Sequence, residues 1–291
     1  MQRAKRKAST PINPKLAAIQ LDTIPCEVNL NVHKAMNWAK RAFDEGAQYV
    51  FFHEMLTADC TPDPIRYGRS IDSAEVFGFC ALAKRYNGYI ALGLNEVWRG
   101  RPYASMVFAG PQGVVDVYRK SYLYPNPSQR GKEDYDKFLE TYVPHEQGYR
   151  LERGFLAHGD GTKIIKVGSL RIGCLICADG AQPEAWETFK REPCDLIFWQ
   201  TNLGNVLTPY DEVGDVRARA RKLRTPMVCT NRCGFSYHYF QDGGSCMIAN
   251  DGSVVVKANE KGKEEMIFAN LADLQLVRTQ GGAKPRKPHR R

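Results

Sequence analysis

Residues 170–184 constrain this chain more than any other stretch, because an apolar run stops there at a cysteine and a turn leads into a helical pattern. Leu170, Ile172, Cys174 and Ile176 alternate with Arg171, Gly173 and Leu175. That is the period of a strand, and the run is too short for a helix. Asp179-Gly180 breaks the strand, Pro183 and Glu184 are first-turn residues, and Ala185, Trp186 and Phe189 supply a helical face. The pattern predicts a strand, a thiol at Cys177 and a helix beginning close by, whose N-terminus favours the thiolate. The plainer alternative is a buried cysteine at a strand end.

Two further strand-like runs end in complementary chemistry. Tyr49, Val50, Phe51 and Phe52 lead into His53-Glu54, and residues 114–119 lead into Lys120. Taken singly, either charge reads as a solvated surface group. In open sheets, however, functional groups gather beyond the carboxyl ends of strands, so the three ends together can deliver a carboxylate, an ammonium and a thiol to one crevice.

A chain of 291 residues with 43% hydrophobic content can bury a sizeable core, and no linker divides it. The formal charge of +9 gathers at the ends, in Arg3, Lys5, Arg6 and Lys7 and in Lys284, Arg286, Lys287, Arg290 and Arg291. These read as basic, flexible tails over residues 1–13 and 278–291, flanking one domain over 14–277. The interior lacks the basic, aromatic-interleaved surface of a nucleic-acid binder, so no nucleic-acid partner is expected. Nine cysteines, a charged N-terminus and no membrane-length apolar run point to free thiols, no membrane and a cytoplasmic protein.

Along the chain, residues 15–21 read as a strand, and Val32, Ala35, Met36, Ala39, Ala42 and Phe43 recur at helical spacing before the strand that presents Glu54. Residues 55–70 read as loop. A second helix carries Val76, Phe77, Cys80, Ala81 and Ala83 on its face, and residues 89–94 return as a strand. Residues 103–108 and 114–119 form a hairpin that aims Lys120, and residues 121–160 read as a long loop walling the site. Strands at 163–167 and 170–176 follow, then helices near 183–191 and 213–223 alternating with strands at 196–199 and 227–231, then hairpin strands. Strands alternating with helices make the fold α/β.

The segments around Glu54, Lys120 and Cys177, with Arg217-Ala218-Arg219-Ala220, Asn231-Arg232-Cys233-Gly234, Asp251-Gly252 and residues 267–271, resemble the nitrilase superfamily of carbon-nitrogen hydrolases over nearly the whole chain. Departures are His53 where proline is usual, Lys222-Leu223 for Glu-Asn, and Ala104 for the asparagine that often follows Tyr103. The resemblance implies an αββα four-layer sandwich, a homodimer or higher homo-oligomer, and no cofactor or metal. It implies Cys177 as nucleophile, Glu54 as proton acceptor, and Lys120 with the backbone N–H of Ala178 as oxyanion stabilisers. It also implies a supporting glutamate, assigned to Glu140 over Glu133 and Glu146. Asn202, just past a strand, is placed to face substrate.

The expected substrate is a small amide or N-carbamoyl compound, with nitriles poor, because Cys177-Ala178-Asp179 looks more like the amidases than the nitrile-cleaving branch. Arginines that grip a substrate carboxylate are absent from positions 179–181, leaving Arg217, Arg219 or Arg232 to supply one. The alternatives are nitrile hydrolysis by the same triad, a zinc or redox protein using Cys174 and Cys177, and a non-catalytic polyanion binder using the tails. Against zinc, thiols three apart on one strand point to opposite faces.

Overall fold

Parallel strands covered on both faces are apolar throughout, and the central strands of this chain read that way. The computed structural model describes residues 13–61, 63–124, 155–203, 216–236, 239–259 and 261–276. In it β1 (Lys15–Gln20), β2 (Tyr49–Phe51) and β3 (Tyr89–Trp98) run parallel. The antiparallel strands β4 (Arg101–Gly110) and β5 (Gly113–Arg119) extend one edge, and β14 (Glu265–Asn270) closes the other.

A second sheet repeats the plan. Its strands β7 (Leu170–Ile176), β8 (Leu196–Thr201) and β9 (Met227–Asn231) are parallel. The strand β6 (Ile164–Val167) lies on one side of them, with β12 (Cys246–Ile248) and β13 (Val254–Lys257) on the other.

The inner faces of the two sheets meet over Leu16, Phe108, Ile172, Cys174 and Met247, with the Phe51 and Phe198 rings 4.6 Å apart. On the outer face of the first sheet, Ala17, Ile19 and Val50 pack under α1 (Val28–Asp44) and α3 (Ala74–Tyr86). The outer face of the second buries Leu175, Ile197 and Trp199 under α4 (Pro183–Arg191) and α5 (Val216–Leu223). The result is the αββα sandwich. Each large apolar side chain buried in these interfaces is worth roughly 2 kcal/mol, so the helices are held by their inward stripes rather than by propensity.

Several local expectations change. The buried stripe of α3 is Val76, Phe79, Cys80 and Ala83, so Phe77 is 56% exposed and Ala81 is exposed too. The helix is set by its ends: the Ser73 side chain accepts from the Val76 N–H, and Asn87 closes it in the left-handed conformation. The loop after Glu54 holds a short helix, α2 (Pro64–Tyr67), capped by Asp63. A ribbon of β10 (Cys233–Ser236) and β11 (Tyr239–Asp242) lies beyond β9. In α6 (Leu271–Leu274), Leu274 is buried in the chain's own inter-sheet core, whereas Leu276 is 56% exposed. Among the described residues no helix is long and apolar enough to cross a membrane.

Candidate active site

The carboxyl ends of β2 and β8 are joined across the sandwich. The Phe52 carbonyl, just past β2, accepts from Gln200 Nε2 at 3.0 Å and from Thr230 Oγ1 at 2.9 Å. Gln200 is also the register partner of Ile176 at the end of β7. One glutamine therefore touches both the segment that carries Glu54 and the strand that delivers Cys177.

Glu54 enters the site on a tightly packed turn. Gly93 of β3 lies so close that a Cβ there would sit 2.1 Å from the His53 carbonyl oxygen, so only glycine lets this backbone approach. Beyond the turn, Asn95 accepts from Thr57 Oγ1 (3.0 Å) and Ala58 N–H (2.9 Å) and donates to the Asp59 carbonyl (2.8 Å). The chain is thereby pinned on the far side of Glu54 as well.

Lys120 follows β5 directly. Its N–H bonds the Ala104 carbonyl at 2.9 Å, and the preceding Arg119 grips Glu96 through Nε (2.7 Å) and Nη2 (2.5 Å). The Lys120 ammonium then reaches Glu54 Oε1 at 2.7 Å, with the two side chains 0% and 2% exposed. Removing two charges from water costs several kcal/mol each, which makes a buried pair a poor device for stability alone.

Cys177 departs from the strand pattern. Continued alternation would send it to the outer face with Leu175, yet it lies in the inter-sheet cluster with Cys174 and Ile176. The backbone explains this: Cys177 has φ +43°, a left-handed conformation that costs a non-glycine residue about 1 kcal/mol. The expectation that Cys174 and Cys177 face opposite ways therefore fails. A 3-10 turn over Cys177–Ala181 follows, and α4 begins at Pro183. The Trp199 indole N–H holds the Cys177 carbonyl at 3.0 Å, and that of Trp186 holds the Gly180 carbonyl at 2.7 Å. Ala178 lies in this turn, 6% exposed.

His53 adds a buried neutral ring beside Glu54. Its Nδ1 bonds the Glu54 carbonyl at 2.8 Å, and because a carbonyl only accepts, Nδ1 carries the proton. Burial first, then the charges of Arg232 and Lys34, push its pKa down to about 3. Its Nε2 has no partner among the described residues.

Asn202 follows β8, its Nδ2 donating to Asp59 Oδ1 at 3.0 Å and contacting Cys60 Sγ at 3.5 Å, which leaves its buried Oδ1 without a partner among the described residues. Glu140, Glu133 and Glu146 lie outside the described residues, as does most of the expected loop wall.

Of the arginines considered for a substrate carboxylate, Arg232 is fully buried, with Nη2 on Asp22 (3.0 Å) and Nε 3.3 Å from Asp59. Arg219 stacks over Trp186 on the outer face. Arg217 Nε donates to the Gly252 carbonyl at 3.2 Å.

Sequence reasoning missed Gln200, Asn95 and Asp179. All three are polar residues in apolar surroundings, where burial is tolerated only with partners, and that anomaly was their signal. Among the described residues no three His, Cys, Asp or Glu are grouped to hold a metal. Burial pushes the thiols of Cys174 and Cys229 well up and that of Cys233 up to about 12.

The sequence pattern of the family described as carbon-nitrogen hydrolase matches residues 15–281. A nitrilase of Pyrococcus abyssi is 27% identical over 271 residues, covering 91% of either chain. An (R)-stereoselective amidase of a Pseudomonas species is 27% identical over 192 residues, covering 65% of this chain and 60% of its own. The crystal structure of an amidase from a Nesterenkonia species superposes with a TM-score of 0.70 at 18% identity, covering 90% of this chain and 92% of that one. Fold and pattern agree, and the chain belongs to the carbon-nitrogen hydrolases of the nitrilase superfamily.

Proposed function

We propose that this chain is a thiol hydrolase that cleaves the carbon–nitrogen bond of a small, non-peptide amide or N-carbamoyl compound. The observation that carries the reading is the buried 2.7 Å contact of Lys120 with Glu54, at strand ends tied through Gln200 to the strand that ends at Cys177. A buried pair of this kind at strand ends is a functional arrangement more readily than a stabilising one.

In the proposed cycle Cys177 Sγ attacks the carbonyl carbon while its proton passes to Glu54. Lys120 and the N–H of Ala178 stabilise the oxyanion, which low local dielectric makes far more effective than in water. Collapse breaks the carbon–nitrogen bond and Glu54 returns the proton to the departing nitrogen. Water then attacks the thioester, giving its proton to Glu54, and the acid leaves as the thiol is restored.

Positions 179–181 hold Asp179, Gly180 and Ala181, and Arg232 is already paired, so the reading favours a substrate without a carboxylate at this spot. Asn202, whose Oδ1 has no partner among the described residues, is assigned a lesser substrate contact. Assembly into a homodimer or larger belongs to the same proposal, and a sharp monomer by sedimentation at micromolar protein rejects it.

Nitrile hydrolysis by the same groups is the second reading, favoured by the likeness to the Pyrococcus nitrilase. Steady-state rates on an aliphatic amide, an N-carbamoyl compound and an aliphatic nitrile, with mass spectrometry of the Cys177 adduct, separate the two. Ammonia release and an acyl adduct from amides are expected. A higher kcat/KM for the nitrile transfers the assignment to nitrilase, and absence of any adduct or turnover sinks both.

A further inference from the structure

Asp179 lies two residues beyond Cys177, is fully buried, and has both oxygens engaged. Oδ2 accepts from the Tyr118 hydroxyl at 2.7 Å and from the Ile176 N–H at 2.8 Å. Oδ1 accepts from the N–H groups of Ser121 at 3.1 Å and Tyr122 at 2.8 Å. These donors stand two before, one after and two after Lys120, and one before Cys177. Lys120 belongs to the first sheet and Cys177 to the second, so a single carboxylate bridges the two chain segments that present them.

We propose that Asp179 is a positioning residue that sets Lys120 and Cys177 in mutual register. The inference rests on the reading of those two as the oxyanion stabiliser and the nucleophile. The latch is specific to a carboxylate. Three of the four donors are backbone N–H groups, which cannot reverse their roles, and burial holds the Tyr118 phenol protonated so that it donates too. An amide at the same place accepts through one oxygen only, and at least one buried N–H then loses its partner.

The surrounding loop is stiffened in the same sense, because Ser121 Oγ accepts from the Gly161 N–H at 3.0 Å and the Ser121 carbonyl meets His158 Nδ1 at 2.9 Å. A displacement of about 1 Å between reacting groups can cost on the order of a hundredfold in rate, so the latch is expected to act on turnover more than on binding.

The test compares wild type, Asp179→Asn and Tyr118→Phe as full chains, measuring kcat and KM on the best amide found and the rate at which iodoacetamide alkylates Cys177. Alkylation needs no substrate, so it separates this inference from the functional reading. A wild type that turns over no amide rejects the reading, and the latch is then judged on alkylation alone. For Asp179→Asn, kcat is expected to fall by at least about tenfold with KM within about threefold, and alkylation to slow by about tenfold. Folded Asp179→Asn that alkylates, and where an amide is turned over also reacts, at the wild-type rate or faster has only a structural aspartate and overturns the proposal. If Asp179→Asn does not fold, Tyr118→Phe decides by the same readouts, removing one of the four donors. A fall of about threefold is expected there, and no change overturns the proposal.

Discussion

The two halves of the sandwich are near copies in architecture, three parallel strands with antiparallel neighbours and a helix pair outside, but they hold the groups proposed for catalysis differently. In the first half, Glu54 is fixed by packing and by many separate contacts: Gly93 beneath its turn, Asn95 beyond it, Gln200 and Thr230 on the carbonyl before it. In the second, Cys177 is turned inward by one left-handed residue, the Trp199 and Trp186 indoles hold carbonyls of its turn, and one buried carboxylate ties that turn to the Lys120 segment. Redundant anchoring spreads the cost of any single change. The tie between the Cys177 turn and the Lys120 segment rests on one side chain, so the second half should be the one in which point substitutions separate activity from stability.

The largest expected effect is at the strained residue itself. Cys177→Ala should remain folded, since alanine fits the space, and should show no detectable ammonia release. Circular dichroism and turnover measured together check this, and release by a folded variant removes Cys177 from the mechanism.

In the first half the same experiment should damage both properties. Lys120→Ala leaves the Glu54 carboxylate buried without its 2.7 Å partner, a loss of about 3–5 kcal/mol in urea denaturation as well as a fall in kcat. Glu54→Gln keeps a hydrogen-bonding side chain, so its loss of stability should be smaller and its loss of kcat comparable. A change confined to KM in either variant contradicts their assigned roles.

Gly93→Ala sharpens the contrast further, because no group on the reaction path is altered. The added Cβ would meet backbone atoms at 2.1 and 2.7 Å, which cannot swing aside. Overpacking of this kind costs about 1–3 kcal/mol and pushes the Glu54 turn outward. Lower stability together with lower kcat is expected, and a variant matching wild type in both would show that the turn tolerates displacement.

The α/β alternation and the three strand ends were legible because burial on both faces writes itself into the sequence as apolar runs such as residues 196–199, and because each run stops at a residue of different chemistry, whereas the four-layer sandwich came from the family resemblance. The inward turn of Cys177 was not legible, since alternation says nothing about where a strand abandons its period. Nor were the partners of Asp179, which lie 58 and 61 residues away at Ser121 and Tyr118. A side chain that bonds distant backbone leaves no periodic mark, only an acid in an apolar neighbourhood. Phe77 illustrates the opposite failure: helical spacing admits two adjacent stripes on α3, and packing against the sheet chose the one through Phe79.

The smallest effects come from pH, and here the two halves should differ in sign. Burial pushes His53, beside Glu54, down to about 3, whereas the unfolded chain binds that proton near the usual histidine value of about 6.5. As pH falls from about 6.5 towards 3, the unfolded state gains a proton that the folded state refuses, and stability is lost. Asp179, beside Cys177, is pushed up to about 6, chiefly by burial and against the opposing hydrogen bonds from Tyr118, Ile176 and Tyr122 and the charge of Lys120. Tyr122 and Cys174 are the other titratable groups that feel its charge. The unfolded carboxyl ionises near 4, so as pH rises from about 4 to about 6 the folded state retains a proton that the unfolded state gives up, and stability is again lost. Between pH 4 and 6 the two contributions therefore oppose each other. Relative to wild type, Asp179→Asn should lose stability more steeply on acidification through that window, by up to about 1.4 kcal/mol per pH unit, and His53→Gln less steeply by a similar amount. Urea midpoints at half-unit intervals of pH supply the slopes. Curves for both variants parallel to wild type would mean that neither group titrates differently on folding, and the contrast between the two halves would then rest on geometry alone.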